Sequence, residues 1–284
     1  MSTALIGAPT SLGAFAPGQE QAPRALREAG LTADADFGDI PLRRWRPDRE
    51  HRRAQNAAGV AQAAREVAER VEAAIRSGHT PVVAGGDCTV GVGTVAGAQA
   101  ASGDGLGLVY FDMHPDLNTP ETVETGTLDW MGNAHLLGLA GTAPELAAVA
   151  TLTPADILLL GRDPSQTKPP EQAAIDEHGI ATIDVDEVAG DPRRAAARAA
   201  SRFDRYLVHF DVDVIDFTDM PLSENTGHGV GLPFDTAVAA LEVLVSSDGF
   251  AGLTVTEHNP AHGAEDGSAT AALARALNAA LSAR

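Results

Sequence analysis

Short apolar runs alternate along the chain with longer stretches in which apolar positions recur every three or four residues. The short runs read as buried strands and the longer ones as helices with one apolar face. Strands are expected in ALIGAP (4–9), TPVVAGG (80–86), GLGLVYFD (105–112), ADILLLGRD (155–163), GIATID (179–184), RYLVHFDVDV (205–214) and FAGLTVTEHN (250–259). Helices are expected over 23–30, 51–77, 89–101, 169–179, 191–203, 233–245 and 269–284. Strands that are apolar throughout and separated by helices predict a parallel sheet covered on both faces. No Pro/Gly/Ser-rich linker and no internal repeat interrupts the pattern, so one domain over 1–284 is expected.

That architecture predicts where chemistry should sit, because open α/β sheets bind ligands outside the carboxyl ends of their strands. The strands here end in GGDC, FDMHPD, GRD, FDVDVID and TEHN. Asp112, His114 and Asp116 follow one strand, and Asp211, Asp213 and Asp216 follow another. Carboxylates at i and i+2 share a face of a strand and can turn to one ion. So many acids at one sheet edge repel unless cations balance them or protons are retained. Mostly oxygen ligands with a nitrogen suit Mn²⁺ better than a structural zinc. The number of acids predicts a pair of ions with a water between them.

Composition narrows the partners. The chain carries 39 acids against 20 bases, a formal net charge of −19, which argues against nucleic acid or an anionic membrane as a partner. No apolar run reaches the length of a membrane span. The opening MSTALIGAPTSLG has neither a charged n-region nor a long apolar core, so no secretory leader is expected. A single cysteine, Cys88, rules out an intrachain disulfide and fits a reducing cytoplasm. Lys168 is the only lysine, a poor basis for covalent amine catalysis.

Taken in order, IGAPTSLGAFAPGQEQAPRALREAGL, VVAGGDCTVGVGTVAG, DMHPDLNTP, FDVDVIDF and TVTEHNP resemble the segments of the ureohydrolase family, which holds arginase, agmatinase and their relatives. The resemblance spans nearly the whole chain. It implies an arginase-like three-layer α/β/α fold around a mainly parallel sheet, and two Mn²⁺ ions per chain that hydrolyse guanidino or related amidino groups. By position, Asp112 and Asp211 would bridge the ions, Cys88 and Asp116 would complete one, and His114 and Asp213 the other. His135 would pass a proton to the leaving nitrogen, Glu257 would face the guanidinium, and Asn118 would contact a substrate α-carboxylate.

Three departures mark this chain. Cys88 stands where the family pattern has histidine, and a thiolate there adds negative charge to one ion and weakens its pull on the attacking water. Ser165 lies near the place where arginases carry an acid for the substrate's α-amino group. Phe217 replaces a proline after Asp216. The implied reaction is hydrolysis of L-arginine or Nω-hydroxy-L-arginine, then of agmatine or a guanidino acid. Formiminoglutamate hydrolysis and a degenerate guanidine-binding protein are the alternatives. A zinc deacetylase is a weaker one, because the paired histidines of such enzymes are missing from VVAGGDCTVG. Family members are often homo-oligomers, and the C-terminal helix offers no obvious partner patch.

Overall fold

The computed structural model describes residues 2–103 and 105–283. Eight strands form one sheet: β1 (Thr3–Gly7), β2 (Ala35–Asp39), β3 (Thr80–Ala84), β4 (Gly107–Phe111), β5 (Ile157–Arg162), β6 (Ala181–Asp184), β7 (Tyr206–Asp211) and β8 (Phe250–Thr256). Their order is β2-β1-β3-β8-β7-β4-β5-β6, and every pairing is parallel. The seven apolar runs all become strands. The pattern missed β2, whose sequence ADFGD is polar and half-exposed. It pairs on one side only and is tied down by Arg27, which holds Asp36 and Asp39.

Alternate residues of each strand point to opposite faces, and this builds two cores. Val109 and Phe111 of β4 join Leu5 and Val82 against α1 (Ala22–Glu28), α7 (Val185–Gly190), α8 (Pro192–Ala200), α9 (Phe234–Ser246) and α10 (Ser268–Ser282). Leu108 and Tyr110 join Ala4 and Ile6 against α2 (Ala57–Arg76) and α3 (Val90–Ser102). Each fully buried large side chain, such as Phe111 or Leu159, contributes about 2 kcal/mol. Three layers, helix on sheet on helix, result.

One helix boundary differs from the periodic pattern. The helix expected from 51 begins at Ala57, because Asn56 adopts a left-handed conformation (φ 60°). Upstream, Asp48 accepts from the amides of Glu50, His51 and Asn56 and closes a loop instead of a helical turn. Short helices α4 (Gly132–Leu136), α5 (Pro144–Ala147) and α6 (Pro169–His178) lie in the long connections. The four central strands lie in the order β3, β8, β7 and β4, so β3 meets β8 and β4 meets β7 across long stretches of sequence. Their carboxyl ends carry Cys88, Glu257, Asp211 and Asp112 to one edge.

Candidate metal centre and cavity

Beyond β3 the chain turns sharply through Gly85 and Gly86. A Cβ on Gly86 would come within 1.7 Å of the Thr10 carbonyl oxygen, so only glycine lets this turn pack. The turn delivers Cys88 to the start of α3, where it is buried. β4 delivers Asp112, whose Oδ1 accepts from the His114 amide (2.6 Å). β7 delivers Asp211, whose Oδ1 accepts from the Asp213 amide (2.7 Å). In both segments the first carboxylate caps the short turn that aims the next ligand-type side chain inward. His114 Nδ1 then lies 3.0 Å from Asp213 Oδ2 and 3.5 Å from Asp112 Oδ1.

Two acids of the site sit in left-handed backbone, Asp116 (φ 50°) and Glu257 (φ 63°). Such a conformation costs about 1–3 kcal/mol in a residue other than glycine and persists only where neighbours enforce it. The Tyr110 hydroxyl donates to Asp116 Oδ2 (2.5 Å), and the Ala134 amide donates to the Asp116 carbonyl (3.1 Å). The Glu257 amide donates to the Gly86 carbonyl (2.9 Å), and the Gln19 side-chain amide reaches both Glu257 oxygens at 3.1 Å. The strain is spent on pointing carboxylates into a cavity.

That cavity measures about 440 Å³. Cys88, His114, Asp116, Asn118, Asp211, Asp213 and Glu257 all line it, while Asp112 lies buried among them. The structure therefore brings together most of the residues singled out from sequence. It does not bring His135 or Ser165 to the wall. His135 is fully buried; its Nδ1–H donates to the Met131 carbonyl (2.7 Å) and its Nε2 accepts from the Ala143 amide (3.0 Å). Burial also lowers its affinity for a proton. With both nitrogens taken by backbone it is a fold histidine, which corrects the role expected of it. Ser165 stands in an exposed turn capped by Asp163, and its neighbours Gln166 and Lys168 line the cavity instead. Asp216 also turns away, accepting from the Thr218 and Gly229 amides.

Residues that the sequence pattern passed over complete the site. Asp129, in the turn Leu128–Met131, accepts from the Cys88 amide and lies with a carboxylate oxygen within 4.8 Å of one on Glu257. His209 lies behind Cys88, and Lys168 stands over the Trp130 ring, 4.7 Å from its centroid. The signal for His209 was present, a single polar residue inside the apolar strand YLVHFD. No local spacing announces Asp129.

The electrostatics follow from packing many acids together without water. Burial, then the Asp213 charge, pushes Asp112 up to about 7. Burial and neighbouring carboxylates likewise push Asp116, Asp129, Asp211 and Glu257 well above the ordinary range. Burial and then Asp211 raise the Cys88 thiol. Asp213 is the exception: burial is the largest influence and would raise it, but the His114 charge together with hydrogen bonds from His114, Asn225 and Asp112 holds it below its usual value. Burial opposes a charge on His114 too, yet Asp213 and Asp112 raise its proton affinity far above that of a free imidazole.

Two oxygens, Asp112 Oδ2 and Asp213 Oδ1, are buried with no hydrogen-bond partner among the described residues. Unpartnered buried carboxylate oxygens are expensive unless a cation meets them. Three overlapping sets bring ligand-type atoms within reach of one ion: Asp112, His114 and Asp213 on one side, and Cys88, Asp112, His209 and Asp211 with Cys88, Asp129 and Glu257 on the other. Carboxylate oxygens joined by an imidazole and a sulfur fit divalent first-row cations.

Comparisons with known proteins place the fold and the family. The family model described as Arginase family matches residues 1–282. Human Arginase-1 is 29% identical over 282 residues, covering 91% of this chain and 85% of the human protein. The arginase of Bacillus caldovelox superposes with a TM-score of 0.85 at 26% identity, over 99% of this chain and 98% of that one. The formimidoylglutamase of Bacillus subtilis shares the fold, with a TM-score of 0.76 at 20% identity over 100% and 87% of the two chains. The chain belongs to the arginase family, hydrolases acting on C–N bonds in linear amidines.

Proposed function

We propose that the protein hydrolyses a guanidino compound with a carboxylate at its far end, releasing urea or a substituted urea and an amine. The observation that carries this reading is the pair of unpartnered buried oxygens, Asp112 Oδ2 and Asp213 Oδ1, beneath a cavity that also holds Glu257. Asp112, Asp211, Cys88, Asp116, His114 and Asp213 are the residues that would hold two Mn²⁺ ions. When bound, such ions supply an activated water and positive charge near the carbon under attack. The chain's own residues do the rest. Glu257, steadied by Gln19, grips the planar guanidinium fork. Asp129 lines the same cavity beside Glu257, and burial and neighbouring charge raise its proton affinity, so it is the group we assign to protonate the leaving nitrogen.

Substrate choice rests on the far wall. Lys168 is a cation lining the cavity, and no ion pair among the described residues engages it. Glu171 uses its oxygens on the Leu117 and Lys168 amides, and Glu224 is bonded to Asn259. Lys168 and Asn118 therefore favour a substrate carboxylate. Nω-Hydroxy-L-arginine, L-arginine and guanidino acids fit, and agmatine, which has no carboxylate, fits less well. A formimino acid is the second reading, favoured by the same lysine.

With Mn²⁺ added, arginine, Nω-hydroxyarginine, 4-guanidinobutanoate, agmatine and formiminoglutamate are compared for release of urea, hydroxyurea or formamide. A carboxylate substrate is expected to lead, and Lys168→Met to cut its kcat/KM by roughly 10–100-fold, mainly through KM, while sparing agmatine. Agmatine in the lead overturns the role of Lys168. Binding without turnover of any compound overturns the enzyme.

A further inference from the structure

The Cys88 sulfur has three polar neighbours: Asp211 Oδ2 at 2.9 Å, Thr256 Oγ1 at 3.3 Å and His209 Nε2 at 3.4 Å. His209 is 1% exposed and stands two residues before Asp211 on β7, so both project from the same face. Its ring is held in one place. Tyr110 stacks on it with centroids 4.2 Å apart and planes 8° apart. On the other edge Gly91 leaves room for it, since a Cβ there would come within 2.6 Å of Nδ1. A buried imidazole packed this tightly against the sulfur has no role in the function proposed above.

Two roles compete, and the proton decides between them. A ring nitrogen of His209 lies within 4.8 Å of ligand atoms on Cys88, Asp112 and Asp211, and Nε2 is the one that faces the sulfur, close enough to join them around an ion. Ligation through Nε2 puts the ring proton on Nδ1, which is buried without a partner among the described residues. A buried N–H with no acceptor is rare, and metal-binding histidines normally donate that proton to a carbonyl or carboxylate. The opposite tautomer leaves only a lone pair facing Gly91. It also puts the proton on Nε2, which lies 3.0 Å from Thr256 Oγ1 and 3.4 Å from the sulfur. Both groups then have a proton to direct toward Cys88.

We propose that His209, with Thr256, is a positioning residue for the Cys88 sulfur: the two form a donor pair that aims the sulfur at the ion on its side and draws electron density out of the sulfur–metal bond. The proposal rests on the reading of Cys88 as a metal ligand. Thiolate ligands are stronger electron donors than imidazole, and hydrogen bonds to a ligating sulfur temper that donation. The chain thus carries beside its unusual ligand the means to moderate it.

Cobalt reports on this bond directly, because a sulfur–cobalt bond gives a charge-transfer band in the near ultraviolet. The chelated protein is reloaded with Co²⁺ alone, and the band is compared in the natural chain, His209→Phe, His209→Gln and Thr256→Val. The phenylalanine keeps the ring and its stacking but has no donor, while glutamine restores one. The expected result is unchanged cobalt stoichiometry, a band moved to longer wavelength in His209→Phe, a smaller move in Thr256→Val, and recovery in His209→Gln. A band that stays put in both His209→Phe and Thr256→Val overturns the proposal. Loss of one cobalt per chain from a folded His209→Phe overturns it in favour of ligation. No band in the natural chain at full loading removes Cys88 from the ligands and overturns the reading beneath the proposal.

Discussion

The buried cluster has two ends built by different rules. At the His114 end, the ligand-type side chains come from two short segments, D-x-H and D-x-D, and they neutralise one another. His114 lies 3.0 Å from Asp213, and its charge and hydrogen bond, with help from Asn225 and Asp112, hold Asp213 below its ordinary proton affinity against burial. At the Cys88 end, Cys88, Asp129, Asp211 and Glu257 arrive from separate strands and loops. Among the described residues no ion pair engages them, and each has its proton affinity raised by burial and by neighbouring acids. Asp211 and Asp213 are two residues apart and shifted in opposite directions, which isolates the cause as the partner and not the depth. One end carries part of its own counter-charge, and the other depends wholly on cations or protons.

The largest effect follows from removing that counter-charge. His114→Ala takes away a ligand and leaves Asp112 and Asp213 facing each other. Metal content measured by elemental analysis is expected to fall to one ion per chain or fewer, and activity by on the order of 10³-fold. Cys88→Ala removes a ligand whose loss also removes negative charge, so it should keep the ion at the His114 end and lose less. Both ions lost from Cys88→Ala, with none lost from His114→Ala, would reverse the assignment of the two ends.

The next effect separates Asp129 from His135. Asp129→Asn keeps the shape and the acceptor for the Cys88 amide but cannot give up a proton. A fall in kcat of about 10²-fold, with KM nearly unchanged, is expected. His135→Phe should leave kcat close to normal and lower stability by about 1–3 kcal/mol, since the Ala143 amide and the Met131 carbonyl lose their partner. Denaturant melts and steady-state kinetics on the same two variants check both halves. The reverse pattern would return the proton to His135.

These two residues also mark where sequence reading stops. Asp112, His114, Asp116, Asp211 and Asp213 were legible because a period of two at the end of an apolar strand is a local signal with a physical cause. The seven apolar strands were legible for the same kind of reason, and β2 was not, because an edge strand needs no apolar face. His135 was misread because the local string around it looks like a site, whereas its two backbone bonds exist only in the fold. Asp129 was missed because its partners, Cys88 and Glu257, are far away in sequence. His209 lies between these cases, since a polar residue in an otherwise apolar strand asks for a partner without naming it.

The smallest effect is on stability, and it tests the dependence on cations without any substrate. In the chelated protein Asp112 is raised to about 7 from an ordinary 3.8. Between those values the folded chain keeps a proton that the unfolded chain has released, so stability falls as pH rises through that window. His114 has the same sign: its raised affinity stabilises the fold below the ordinary imidazole value, and that contribution is lost as pH rises through the folded value. Asp213, lowered by His114, contributes above its ordinary value and loses stability only as pH falls below it, outside the range tested. The contributions of Asp112 and His114 therefore fall together above mildly acid pH. Going from about pH 5.5 to about pH 7 is expected to cost the chelated protein about 2 kcal/mol from Asp112 alone, or roughly 5 °C in Tm. Saturating Mn²⁺ should flatten or invert the slope, because an ion takes the place of the proton between the carboxylates. Thermal melts at both pH values, with and without Mn²⁺, decide the matter. A chelated protein whose melting point does not fall over this interval would mean that the carboxylates do not press on one another as their burial requires.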